Sequence, residues 1–249
     1  MFEQLLLFAI SLIANLFSAF SGGGAGLIQL PALIFLGLAF PVALATHKVA
    51  SVALGIGATL RHLREGGLQG RFVALMLAAG LPGVIAGAHL ILEVPDRLAE
   101  IALGALTMSL GLYSWRKPSL GLQAQAHHRD RAGILTGALG LFLIGVLNGS
   151  LTSGTGLFVT LWLVRWFGLD YRQAVAYTLI LVGLFWNGTG ALVLGLLSEI
   201  HWAWLPALLV GSLAGGYAGA HLAIRHGNRA IKRAYELITL LVGAALIIH

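Results

Sequence analysis

Long apolar runs follow one another along nearly the whole chain, parted by short polar stretches. About twenty continuous apolar residues are enough to cross the ~30 Å hydrocarbon core of a bilayer as a helix, so the pattern predicts an all-α polytopic membrane protein. Ten apolar stretches can be marked, at 4–20, 26–39, 41–60, 72–92, 98–115, 132–150, 156–168, 172–197, 202–222 and 232–248. The second and the seventh are too short to cross comfortably, and each follows a stretch rich in Gly, Ser and Thr. The expectation is eight full spans plus two short segments, or ten in all, with the first two segments of each half forming a broken or re-entrant pair. A transmembrane β-barrel would need alternating strands of about ten residues. These runs are continuous, which excludes it.

The first break lies in SAFSGGGAGLIQLP, residues 18–31, where Gly22, Gly23 and Gly24 stand in a row. Gly in a helix interior costs about 1 kcal/mol relative to Ala. Non-helical backbone at membrane depth is tolerated only where it is buried in protein or lines an aqueous cavity. The chain also repeats itself around this feature. At a shift of 131 residues Gly23 pairs with Gly154, Gly37 with Gly168, Ala43 with Ala174, Ala45 with Ala176 and Gly57 with Gly188. After a one-residue insertion, AGAHL at 86–90 pairs with AGAHL at 218–222, Arg97 with Arg229, Thr107 with Thr239 and Gly111 with Gly243. The halves are 1–115 and 132–249, joined by a basic linker at 116–131 within one transmembrane domain. Each half holds an odd number of segments, so the two are expected to be inverted. That is the plan of many secondary transporters, whose substrate sites lie near the midplane at broken helices.

Charge orients the bundle. Eleven of the fifteen Lys and Arg residues fall in the loops 61–71, 116–131 and 225–233, which places these loops in the cytoplasm. The opposite face holds Glu3, Glu93, Asp96 with Arg97, and Glu199, and both termini are predicted extracytoplasmic. Hydrophobic residues make up 58% of the chain and charged residues only 10%, against about a quarter in soluble domains. The net charge of +6 is thereby explained by orientation, with no nucleic-acid partner implied. The N-terminal MFEQLLLFAISLIANLF lacks a basic leader and a cleavage site and reads as the first membrane segment. Cysteine is absent, so disulfides, thiolate metal sites and cysteine nucleophiles are excluded.

Residues 18–26 align with 149–157, GSLTSGTGL, so the breaks are expected to meet near the centre of the membrane. Helix N-termini after the breaks present unpaired N–H groups and a positive dipole end. Glycines let a ligand approach them closely, and Ser21, Thr152, Ser153 and Thr155 add hydroxyl donors, a combination suited to an oxyanion. The bland alternative is that small residues only let helices pack closely. The candidate substrate-binding set is Ser21, Gly22, Gly23, Gly24, Thr46, Thr152, Ser153, Gly154, Thr155 and Asn187. Lys48, read as the only Lys or Arg well inside a predicted span, either supplies positive charge to this site or snorkels to the outer interface. His47 beside it either couples transport to protons or is structural. Asn15, Gln29, Ser51, Asn148 and Thr189 are further hydrogen-bonding groups in the spans. His89 and His221 are repeat mates expected at opposite faces. Trp115, Trp162, Trp166, Trp202 and Trp204 read as an aromatic belt without a ligand role.

The stretch from Ser18 to Leu68 carries a family resemblance. Its glycine break Gly22–Gly24, Pro31, the run Pro41–Ala45–Thr46, and His62 with Gly66 resemble the opening signature of the sulfite exporter TauE/SafE family. NGSLTSGTGLFVTLWLV resembles that family's second break, with Ser153 and Thr155 where glycine is usual. The resemblance spans nearly the whole chain. It implies a bacterial inner-membrane transporter of sulfur-containing oxyanions such as sulfite, thiosulfate or organosulfonates, acting as an exporter. Alternating access around the breaks, with no cofactor beyond a coupling proton or sodium ion, is the leading expectation. A passive anion channel of the same architecture is the alternative, and the sequence leaves room for a homodimer. No metal-ligand spacing and no nucleophile elbow occurs, so no enzyme is expected.

Overall fold

The computed structural model describes residues 2–66, 68–90, 96–150 and 154–248. They form α1 (Phe2–Ser21), α2 (Gly26–Phe35), α3 (Phe40–His62), α4 (Gly70–Leu90), α5 (Asp96–Trp115), α6 (Arg131–Ser150), α7 (Thr155–Arg165), α8 (Tyr171–Leu197) and α9 (Leu205–Ile248). Among the described residues there is no strand. Five helices, α1, α3, α4, α6 and α8, are long and apolar enough to cross a membrane. Their outward faces are greasy: Leu135, Leu139 and Leu143 make an exposed i, i+4 stripe on α6, and Leu192 and Leu196 do so on α8. Ser11, Asn15, Gln29, Ser51, Asn148 and Thr178 are buried inside. An apolar outside around a polar inside is the arrangement lipid selects, and the protein is a membrane protein.

Local chemistry sets the helix ends. Pro41 sits in the first turn of α3, where its missing N–H is not needed. Asp170 caps α8 by accepting the Gln173 amide at 2.8 Å. Gly37 (φ 105°) and Gly168 (φ 69°) take the left-handed turns that follow α2 and α7. These two helices have 10 and 11 residues, about 15–17 Å at 1.5 Å per residue, half of a bilayer core. The sequence ran the second segment on to 39, and Gly37 is why it stops sooner.

Two features differ from the sequence expectation. The stretches 202–222 and 232–248 lie in a single helix, α9, interrupted only at Gly227 (φ 74°, ψ −175°). The expected basic loop 225–233 is therefore a one-residue break between two arms, each about 30 Å long. In α8, Thr178–Trp186 winds as a wide π-helix. Nothing in TLILVGLFW signals it, because apolar composition fits either winding.

Small residues bring the helices together, as expected where lipid supplies no hydrophobic drive between them. Gly211, Gly215 and Gly219 of α9 face the α1 backbone, and Gly83 and Gly87 of α4 face the carbonyls of Phe142 and Val146 in α6. At the crossing of α3 and α8, a Cβ on Gly55 would fall 2.6 Å from the Gly183 carbonyl carbon. The second arm of α9 packs on α5 through Gly104, Gly111 and Gly243. Trp186 is fully buried in α8, with its Nε1 donating to Met76 O at 3.2 Å, and its ring lies where a Cβ on Gly80 would be. Gly80→Ala is therefore expected to cost about 1–3 kcal/mol by overpacking, lowering the thermal midpoint in detergent by several degrees. Gly188→Ala, which would meet only Val52 at 3.9 Å, should leave the midpoint unchanged or raise it. Equal effects of the two would contradict this packing.

Candidate functional site

The two breaks touch. A Cβ added to Gly23 (φ 142°) would lie 2.6 Å from Gly156 C and from Leu157 N, so backbone meets backbone and no side chain fits. Thr160 fastens the contact from α7: its Oγ1 donates to Gly22 O at 2.7 Å and lies 2.9 Å from Thr178 Oγ1. Leu27 of α2 packs over Gly154, the residue that starts α7. The N-terminal ends of two half-length helices are thus held side by side. Among the described residues, neither N-cap, Ala25 nor Gly154, makes a side-chain cap bond. The amides of Gly24, Ala25 and Gly26 donate to no backbone carbonyl among the described residues. Each such end carries roughly half a positive charge.

A cavity of about 40 Å³ lies against these ends, room for two or three waters at about 10–15 Å³ each. The first break lines it with Gly23–Gly26, and α7 with Thr155 and Gly156. From α3 come His47 and Ser51, from α6 Asn148, and from α8 Thr178 and Asn187. The π-helical stretch therefore supplies one wall, and such segments recur at functional sites.

Lys48 stands directly behind this wall. It is fully buried, with Nζ donating to Asn148 O at 2.6 Å, Asn148 Oδ1 at 2.8 Å and Asn187 Oδ1 at 3.4 Å. Asn148 in turn donates to Thr155 Oγ1 at 2.8 Å. Gly190 makes the slot, since a Cβ there would sit 3.2 Å from Nζ. The ammonium is turned inward, and the snorkelling alternative does not hold. No described carboxylate pairs with it; the ion pairs among the described residues are Arg61–Glu65, Arg172–Glu65 and Lys232–Glu236. His47 is equally buried. Its Nδ1 lies 2.9 Å from Gln29 Oε1 and its Nε2 lies 3.2 Å from Ser51 Oγ. Gln29 Nε2 is spent on Ser11, so the histidine donates from Nδ1 and accepts at Nε2.

The other expected residues divide. Gly23, Gly24, Thr155 and Asn187 line the cavity, and Gly22 and Gly154 shape the backbone beside it. Ser21 does not reach it; its Oγ lies 2.9 Å from Phe17 O and 3.0 Å from Gly23 O, shared between carbonyls of its own segment. Thr46 Oγ1 accepts the His201 amide at 2.9 Å, away from the cavity. Thr152 and Ser153 lie outside the described residues. The aromatic belt also needs correction. Trp204 is buried, while Trp162 and Trp166 stack on each other and donate to Gly137 O and Gly133 O.

Sequence reasoning missed Thr160 and Thr178, which look like ordinary helix residues until the breaks fold against them. It also placed Lys232 in a loop, whereas Lys232 is 6% exposed inside α9 and bonded to Glu236 and Ser114. Lys48 is therefore not alone among buried lysines. At the basic end, Glu65 bridges Arg61 and Arg172 at 2.9 Å each, tying α3 to α8. The Arg61 hydrogen bond, with the charges of both arginines, holds the Glu65 carboxyl below its ordinary range.

Thr160→Val keeps the shape but leaves the buried Gly22 carbonyl unpaired, a loss of about 1–3 kcal/mol. The expected outcome is a lower thermal midpoint with the same helix content. Gly23→Ala should yield no monodisperse protein. A Thr160→Val protein as stable as the parent would contradict the joined breaks.

Comparison with known proteins gives the family. The family described as Sulfite exporter TauE/SafE matches residues 7–246. The chain is 26% identical to the probable membrane transporter protein YfcA of Escherichia coli K12, over 97% of this chain and 88% of that protein. It is 26% identical to a probable membrane transporter protein of Haemophilus influenzae, covering 97% and 93%. With the probable membrane transporter protein ORF9 of a Sinorhizobium species, identity is 27% over 97% and 91%. The helical bundle with its two touching glycine breaks, matched by one family model over nearly its whole length, belongs to the sulfite exporter TauE/SafE family.

Proposed function

We propose that the protein is a secondary transporter of small sulfur oxyanions, such as sulfite, thiosulfate or organosulfonates. The anion binds between the amide ends of α2 and α7, facing Thr155, Asn148 and Asn187 with Lys48 behind them. The observation that carries this reading is the enclosed Lys48 ammonium, whose partners among the described residues are all neutral oxygens. An ammonium buried without a counter-charge costs several kcal/mol, and charged groups inside membranes mark substrate and ion routes. An anion about 4 Å away gains about 4 kcal/mol at an effective dielectric constant of about 20. The two helix ends add to that attraction.

The pairing of helices supports inverted halves. α1 packs on the first arm of α9, α4 on α6, α3 on α8, and α5 on the second arm of α9. Exchanging the first five elements with the second five returns the same set. The repeat mates Gly23 and Gly154, and Gly37 and Gly168, all have positive φ. On this reading the breaks lie at the midplane of the inner membrane, with both termini outside the cytoplasm. One half rocks against the other to expose the site alternately, and the family description favours export.

In proteoliposomes, sulfite, thiosulfate and sulfoacetate uptake is expected to saturate and to show counterflow. Lys48→Gln removes the ~4 kcal/mol attraction and should slow transport by more than tenfold. Lys117→Gln, on the exposed linker, should not. A folded Lys48→Gln protein with parental transport would overturn the site. Flux that never saturates and lacks counterflow would point instead to an anion channel.

A further inference from the structure

The second buried lysine is built differently from the first. Lys232 Nζ donates to Ser114 O at 2.6 Å, to Ser114 Oγ at 2.9 Å and to Glu236 Oε1. Ser114 Oγ donates to Glu236 Oε1 at 2.9 Å and lies 2.9 Å from Tyr171 Oη, which must then supply the proton of that bond. Three helices meet here: α5 through Ser114, α8 through Tyr171, and the second arm of α9 just beyond the Gly227 break. Beside Glu236, Tyr235 Oη donates to Leu157 O at 3.1 Å. Leu157 is in the first turn of α7, the same turn whose backbone meets Gly23. The Tyr171 and Tyr235 rings lie 5.6 Å apart, so a set of contacts runs from the ion pair through Ser114, Tyr171 and Tyr235 to the broken helix at the cavity.

A buried ion pair is a poor choice for stability alone, because desolvation of both partners consumes most of their attraction. Inside membranes, such groups mark proton routes. Of the other carboxylates whose side chains are described, Glu3, Glu65, Asp130, Asp170 and Glu199 lie at helix ends or in loops. Glu236 sits within α9, and its side chain keeps 14% exposure against 8% for Lys232. The carboxylate is thus held in the network and is the more exposed partner of the pair.

We propose that Glu236 is the proton-coupling group of the transport cycle, an inference that rests on the transport reading above. A proton taken from water onto the Glu236 carboxylate removes the counter-charge of Lys232 and leaves its ammonium on Ser114. The same proton leaves to the opposite aqueous phase when the pair re-forms, with no other bond made or broken. The groups facing the carboxylate are Lys232 and Tyr235 on α9, Ser114 on α5 and Tyr171 on α8. From α7, Arg165 is engaged on Tyr113 Oη, next to Ser114.

The test uses proteoliposomes holding a pH-sensitive dye, with thiosulfate as the probe because its charge does not change across the neutral range. The parent protein is expected to move protons with thiosulfate and to respond to an imposed pH gradient. Glu236→Gln, and the double variant Glu236→Gln with Lys232→Gln, should keep thiosulfate counterflow while losing proton flux and the response to the gradient. The proposal is overturned if either variant still couples as the parent does. It is also overturned if both lose counterflow and proton flux together while remaining monodisperse, which marks a purely structural clamp. A parent protein that moves thiosulfate without protons overturns the coupling alone. One that moves no anion overturns the transport reading as well.

Discussion

An ammonium group enclosed in a membrane protein must be surrounded by oxygen, and Lys48 meets that demand with three bonds to two asparagines. Much of the central architecture follows from it. Asn148 has to end α6 beside the second break, and Asn187 has to emerge from the π-helical stretch of α8 at the same level. Gly190 has to leave room for the lysine stem. Neutral oxygens satisfy the geometry of the ammonium but bring no counter-charge, so on the proposed reading a protonated Lys48 leaves a positive potential in the neighbouring cavity. The amide ends of α2 and α7 add to that potential. Three separate sources of positive field therefore converge on about 40 Å³ of space.

Glycine makes that convergence sterically feasible. Two half-length helices can present their starts to one ligand only if the chains leading into them come within backbone contact. Gly23 and Gly156 meet at a distance no side chain allows. The rest of the bundle uses glycine for a different purpose, letting whole helices lie close along α1–α9 and α4–α6. The centre and the scaffold thus share a residue type for unrelated reasons. That is why a Gly-rich pattern alone could not tell binding from packing.

The sequence carried the coarse architecture well. Hydropathy located the apolar segments, and the short second and seventh ones are indeed the half-length helices α2 and α7. Side-chain contacts were less accessible. Ser21 looked like a ligand donor because it precedes three glycines, yet a serine at a helix end can return its hydroxyl to its own carbonyls, and Ser21 does so. Lys232 looked like one of a run of loop cations. Only the three-dimensional closeness of Ser114, over a hundred residues earlier, reveals it as buried. Thr46 was drawn into the site by its motif, whereas its partner is a loop amide from the other half. For Lys232 and Thr46 the missing information was long-range, and no local pattern contains it.

The central claim is that an oxyanion occupies the space between the two helix starts in front of Lys48. Selenite resembles sulfite in shape and charge, and its selenium scatters X-rays anomalously. Crystals of the protein grown with selenite test the claim directly. The account predicts an anomalous peak in the cavity bounded by Gly24, Thr155, Asn148 and Asn187. A peak confined to the basic loops, or none at saturating selenite, would contradict it.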